Sequence, residues 1–220
     1  TWTNSLLEEK HIYDTYCNLI MKEADNGMNQ VLVNRPVLEE YIRRQYPGFK
    51  LISSTTKRIT GLDGLLEELN KDYFLVVLDY DLNHNEEVLS AIGKQADKVE
   101  ILVNEICYPG CPKRSEHYRQ QSQMQLEYDI DAAFPCPNKT RERKFEECKE
   151  RPSFISREQI REYADRGFVN FKIVGRGMPM DFVKESYLYY LVKDDSRAFI
   201  RNKMESTLNQ FAQAMRKRKA

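Results

Sequence analysis

No run of apolar residues in this sequence approaches the length needed to cross a bilayer, and no apolar leader of the secretory kind opens it. Neither sign of charge is in excess: 34 Lys and Arg balance 34 Asp and Glu, so no global field draws the chain to nucleic acid or an anionic membrane. There is no internal repeat. No glycine-rich loop of the phosphate-cradling type follows any apolar run, and Gly175-Arg176-Gly177 is too short a match to count. No Ser/His/Asp or Cys/His arrangement makes a case for a nucleophilic hydrolase. What is there is 41% hydrophobic and 31% charged, the balance of a globular protein with a well-solvated surface, in one domain or two small ones. Five cysteines is an odd number. Four lie together and Cys17 is remote, a pattern that fits a reduced, cytoplasmic compartment and metal binding better than a disulfide framework.

The apolar pattern alternates between short runs and helical stripes. Short runs at 30–33, 49–53, 73–78, 99–103 and 168–174 read as strands, the third so uniformly apolar that it is buried on both faces. Between them, Asp14 caps a helix to about Asn26, and Pro36 opens another at a favoured first-turn position. Leu62, Leu65, Leu66 and Leu69 give a third helix its stripe, and Glu86 to Gln95 a fourth. Ser115 to Leu126 reads as helical, then 127–152 as a long irregular segment. Ser156 caps a helix that Gly167 stops. Two more helices start near Asp181 and Ser196. About 20 to 25 residues separate the early strands, as β/α units require. Every strand ends in polar residues, as expected when parallel strands share one C-terminal rim. The expected fold is therefore α/β: a single unit over 1–220, read as the C-terminal five-eighths of a (β/α)8 barrel that lacks roughly three units upstream. A complete open, doubly wound sheet is the alternative.

The strongest chemical signal is the stretch Ile101–His117, ILVNEICYPGCPKRSEH. Here a buried strand delivers an amide, an acid and two thiols into the loop after it. Cys107 and Cys111 flank Tyr108-Pro109-Gly110, and Cys136 and Cys148 follow in a Cys-containing insertion at 106–152. Four thiolates hold a 4Fe-4S cluster, or zinc as the alternative. The competing account is four unrelated small hydrophobes. Residues at the strand ends should ring one mouth: Asn34, Arg35, Thr55, Lys57, Asp79, Asp81, Asn104, Glu105, Lys172 and Arg176. Glu105 and Asp79 are the carboxylates best placed for proton transfer. Asn104, Arg114, Lys172 and Arg176 are candidates for substrate binding, Arg176 bidentately. Lys172, on a strand, could face either the lumen or the helices. His117 is a further candidate, on the helix after the loop.

The run NEICYPGCPKRSEHY, followed by PSFISREQIREYADRGFVNFKIVGRG, resembles members of the collagenase-like peptidase family, peptidase family U-32. The resemblance covers about Leu102 to Gly177. It implies a TIM-barrel-like domain, an Arg114–His117 pair after the Cys loop, and site residues at Lys172 and Arg176. Several members of the family are iron–sulfur proteins with four Cys ligands that hydroxylate RNA bases or quinone precursors without oxygen. The substrate so implied is a small molecule or a nucleic-acid base, with a protein partner left open. A zinc-stabilised barrel with a peptidase or non-catalytic binding role is the other expectation. The first Cys pair here has a shorter gap than the family pattern.

Overall fold

A computed structural model of the chain describes residues 6–127, 134–136, 143–175 and 177–217. Five short strands form one sheet: β1 (Gln30–Val33), β2 (Lys50–Ser53), β3 (Leu75–Val77), β4 (Val99–Leu102) and β5 (Asn170–Lys172). Helices α1 (Thr15–Ala24), α2 (Pro36–Gln45), α3 (Leu62–Leu69) and α4 (Glu86–Ile92) alternate with the first four strands. Between β4 and β5 lie α5 (Arg114–Glu127), α6 (Phe145–Lys149) and α7 (Arg157–Asp165), and α8 (Met180–Leu191) and α9 (Arg197–Lys217) complete the chain. The local signals act as the sequence suggests. The Asp14 carboxylate accepts from the Cys17 N–H at 2.7 Å, Pro36 occupies the first turn of α2, and Ser156 and Gln159 form a reciprocal capping box on α7. Gly167, at φ 95°, takes the left-handed conformation that ends α7.

Strand order separates the two expected architectures. The order is β1-β2-β3-β4-β5, with every pairing parallel. Right-handed crossovers that always advance in one direction keep their helices on one face of the sheet. A doubly wound sheet reverses direction partway and carries helices on both. The observed sheet is singly wound, the order found along an arc of a barrel. Among the described residues β1 and β5 do not pair, so the arc is open.

Alternation along the strands confirms the two faces. Val33, Leu51, Val76, Val99 and Ile101 pack into one large core with Leu38, Ile42, Leu65, Leu69 and Leu89 of the helices. Ile52, Leu75, Val77 and Leu102, with Leu32 and Val174, form a separate cluster on the other face. Each such side chain contributes roughly 1.5–3 kcal/mol when fully buried. The third strand thus has apolar residues toward both faces, as its uniform sequence suggests.

Within the stretch read as irregular, the described residues include a short helix, α6. Phe145 and Cys148, three apart on α6, share an apolar face that packs against Phe182 of α8. A helical face hidden in a charge-rich stretch therefore buries Cys148 completely.

One polar network centres on the buried Glu68 of the helical layer. Glu68 of α3 accepts from Ser53 Oγ (2.5 Å), Lys57 Nζ (2.6 Å) and Lys71 Nζ (2.8 Å). Lys57 Nζ also donates to the Tyr73 hydroxyl at 2.7 Å, so it points into the helices rather than into the mouth. Burial alone would raise the Glu68 pKa, but its three donors outweigh burial and hold it at about 2. A depressed carboxyl stabilises the fold above its unfolded pKa, and that stabilisation is lost as pH falls through the folded value. Glu68→Gln is expected to lower stability at pH 7 by about 2–3 kcal/mol. Urea unfolding of both proteins should show the gap closing as pH falls from 4.5 towards 2.

Candidate active site at the C-terminal rim

The segments that follow β2, β3 and β4 meet through Asp81. Its Oδ1 accepts from Arg114 Nη1 (2.9 Å) and from the Gly110 N–H (3.0 Å), and its Oδ2 accepts from Arg58 Nη2 (3.0 Å). Asp79 lies beside it. Arg58 Nη1 donates to Asp79 Oδ2 at 2.5 Å, and the Asp81 N–H donates to Asp79 Oδ1 at 3.0 Å. Among the described residues Arg58 is the only non-glycine with positive φ, 61°. That conformation costs about 1–2 kcal/mol, offset here by charge-assisted bonds to two carboxylates.

Arg114, at the start of α5, is 1% exposed. Besides Asp81, its guanidinium donates to the Tyr108 carbonyl and stacks 3.8 Å from the Tyr80 ring centroid. Asp79 Oδ1 lies 3.6 Å from it. A guanidinium buried this deeply is tolerable only with such partners.

Two acids of this group are driven apart from the third. Burial raises the Asp79 and Glu105 pKa values, with the Asp79 charge adding to the rise at Glu105. Burial acts on Asp81 too, but the bonds from Arg58, Gly110 and Arg114 outweigh it and keep Asp81 low. Glu105 Oε1 accepts from the Cys107 N–H at 3.0 Å. The buried Tyr80 hydroxyl makes no well-formed hydrogen bond, and the Tyr118 phenol is pushed up to about 12 by burial and then by Glu105. Two raised carboxyls, one lowered carboxyl and two arginines therefore share one rim.

The other candidate residues are dispersed. Asn104 is 0% exposed and ties the sheet to α8: its Nδ2 donates to Val174 O (2.9 Å) and Ser186 Oγ (3.1 Å), and its Oδ1 accepts from the Val174 N–H (2.6 Å). Its amide is committed to the fold. Lys172 bonds Glu100 Oε2 at 2.7 Å. Neighbours of both residues along their strands belong to the helix-side core, which puts the pair on the other face of the sheet. The His117 ring stacks on Phe134 at 4.5 Å, and burial and then Arg143 lower its pKa. Asn34 donates to Thr56 Oγ1 at 2.7 Å. Arg176 lies outside the described residues.

The expected ligand set is Cys107, Cys111, Cys136 and Cys148. Among the described residues no group of three or more His, Cys, Asp or Glu side chains is placed to hold a metal ion. Cys107 and Cys111 interact electrostatically, and Cys107 and Cys148 both feel Glu105. Cys148 Sγ, however, donates to the Glu105 carbonyl at 3.7 Å and sits in the aromatic cluster of Phe145 and Phe182. A thiol packed among hydrocarbon rings is a poor thiolate ligand.

Two polar residues escape the sequence reading, Arg58 at the rim and Glu100 on the sheet face away from the helices. Arg58 stands one residue beyond the polar cluster after β2. Glu100, a lone charge inside the strand VEIL, is the signal for a polar pair across β4 and β5.

Burial and then Glu105 push the Cys148 thiol up to about 12. Because the thiolate is the reactive form, iodoacetamide at pH 8 should label native Cys148 roughly 1000-fold more slowly than the unfolded chain, read by peptide mapping.

No protein-family model matches the chain, and no solved structure matches it. It is 27% identical over 184 residues to an uncharacterized protease of Methanocaldococcus jannaschii, a match covering 80% of this chain and 54% of that relative. The chain thus spans about half the length of the curated relative it matches. That likeness agrees with the resemblance to collagenase-like peptidases carried by the Cys loop and the strand that follows it.

Proposed function

We propose that the rim is the active site of a peptidase-like hydrolase, with Glu105 as its general acid. The observation that carries this reading is the raised Glu105 carboxyl beside the Asp79–Arg114 group. A carboxyl that keeps its proton above the ordinary range is suited to protonate a leaving amine. In amide hydrolysis water adds to the carbonyl carbon and the C–N bond breaks. The proton on Glu105 goes to the leaving nitrogen, and Asp79, also raised, takes the proton that the attacking water releases. Asp81 stays ionised and holds Arg58 and Arg114 in place. The printed name of the Methanocaldococcus jannaschii relative, a protease, supports the same reaction class.

A second reading is an iron–sulfur enzyme that modifies a nucleic-acid base or small molecule without oxygen. The observation in its favour is that Cys107 and Cys148 both lie near Glu105, with Cys111 near Cys107. Stoichiometric iron and sulfide in anaerobically prepared protein would support it. Zinc without sulfide would support a structural metal instead.

Glu105→Gln separates these readings by its kinetics. The hydrolase reading expects a 10²–10⁴-fold fall in kcat/KM on a peptide panel, a typical loss for a general acid. The fold should gain stability at the same time. A raised carboxyl favours the folded state below its unfolded pKa and loses that contribution as pH rises through the folded value. The variant, which cannot ionise, should therefore melt higher than wild type at pH 8 and similarly to it at pH 4. Full peptidase activity in the Gln variant would sink the assignment.

A further inference from the structure

Arg151 follows α6 in a turn closed by the Phe154 N–H donating to its carbonyl at 3.0 Å. Its side chain belongs to a residue only 5% exposed. The guanidinium carbon lies 3.9 Å from the centroid of the Tyr108 ring. Among the described residues no carboxylate pairs with this guanidinium, and its buried Nε has no hydrogen-bond acceptor. Arg58 and Arg114, the other arginines of the rim, each engage carboxylates. Arg151 is the exception.

A buried charge without a partner is costly, and a cation–π contact returns only part of that cost. The Tyr108 ring therefore covers one face of the guanidinium and leaves its in-plane N–H groups unmatched. Tyr108 is itself fixed, because its carbonyl accepts from Arg114. The Arg151 N–H donates to the Cys148 carbonyl at 3.0 Å, and Cys148 Sγ donates to the Glu105 carbonyl. This ties the orphaned cation to the segment that carries Glu105. Two residues on, the buried Ser153 Oγ also lacks a partner.

We propose that Arg151, stacked on Tyr108, is the recognition site for a substrate carboxylate, received bidentately at the rim that holds Glu105. A planar fork with one face covered matches a carboxylate edge. A monoanion also suits the place better than a phosphate dianion, because Asp79, Asp81 and Glu105 belong to the same rim. That the carboxylate belongs to a peptide rests on the hydrolase reading above; the anion site itself does not.

The test measures binding as well as turnover. N-acetyl-trialanine with a free C-terminal carboxylate is titrated into the full chain by calorimetry, beside the same peptide as its amide and inorganic phosphate. The free carboxylate should bind at least tenfold more tightly than the amide. Arg151→Met should abolish that difference without lowering the Tm, because it removes an unpaired buried charge. Arg151→Lys should keep the charge but lose most of the preference. Equal binding of acid and amide to wild type overturns the proposal. So does phosphate binding as tight as the carboxylate with the same dependence on Arg151. A Tm that falls in Arg151→Met and recovers in Arg151→Lys, with peptide binding unchanged in both, assigns Arg151 to packing and overturns it too. Carboxylate preference without hydrolysis of any peptide would sink the hydrolase reading alone; hydrolysis without the preference would sink this one alone.

Discussion

Asp81 joins three segments of chain that have no other reason to meet, its own and the two that donate to it. Arg58 arrives after β2, Gly110 and Arg114 after β4, and Asp81 itself follows β3. Adjacent parallel strands bring these segments to one end of the sheet, but adjacency alone leaves loops loose. The shared carboxylate converts it into fixed geometry. It holds Arg58 in a left-handed conformation and keeps Arg114 charged in a place that water hardly reaches. The remaining rim groups take their environment from this arrangement: Tyr80 lies under the guanidinium of Arg114, and Tyr108 is anchored by it.

The same burial acts in opposite directions on neighbouring acids. Where cationic donors converge, at Asp81 and Glu68, the carboxylate stays ionised in spite of its surroundings. Where they are fewer, at Glu105, desolvation wins and the carboxyl is raised. Sites of chemistry commonly contain such separated pairs. A raised acid is a local destabilisation at neutral pH, so its presence at the rim costs the fold something that the cores on both sheet faces must cover.

The fold was largely legible. Hydrophobic runs at 30–33, 49–53 and 99–103 give their strands almost to the residue, and Asp14, Pro36 and Ser156 mark helix starts by mechanisms that act within four residues. Glu105 and Asp79 could be named because parallel strands assign their followers to one end. Other features were not legible, for a common reason. Cys148 looked like a residue of an irregular segment, since charged neighbours hid the Phe145–Cys148 face of α6. Asn104 looked free for substrate, but its partners at Val174 and Ser186 lie 70 and 82 residues away. Arg58 and Arg151 owe their character to what surrounds them in space, and local patterning contains none of that.

The spacing of the strand pairs carries a consequence for how the molecule assembles. Gln30 pairs with Lys50, Ile52 with Leu75 and Val76 with Val99, each a short excursion, whereas Glu100 pairs with Asn170. Closing that last, threefold longer loop costs about 1 kcal/mol more entropy than each earlier one. Pairings of high sequence separation tend to form late. The four leading strands make a cooperative block from near neighbours, and the fifth docks after the whole stretch carrying Tyr108, Arg114 and Cys148 has been threaded between them. Nascent chains would thus acquire a packed sheet before they acquire a working rim.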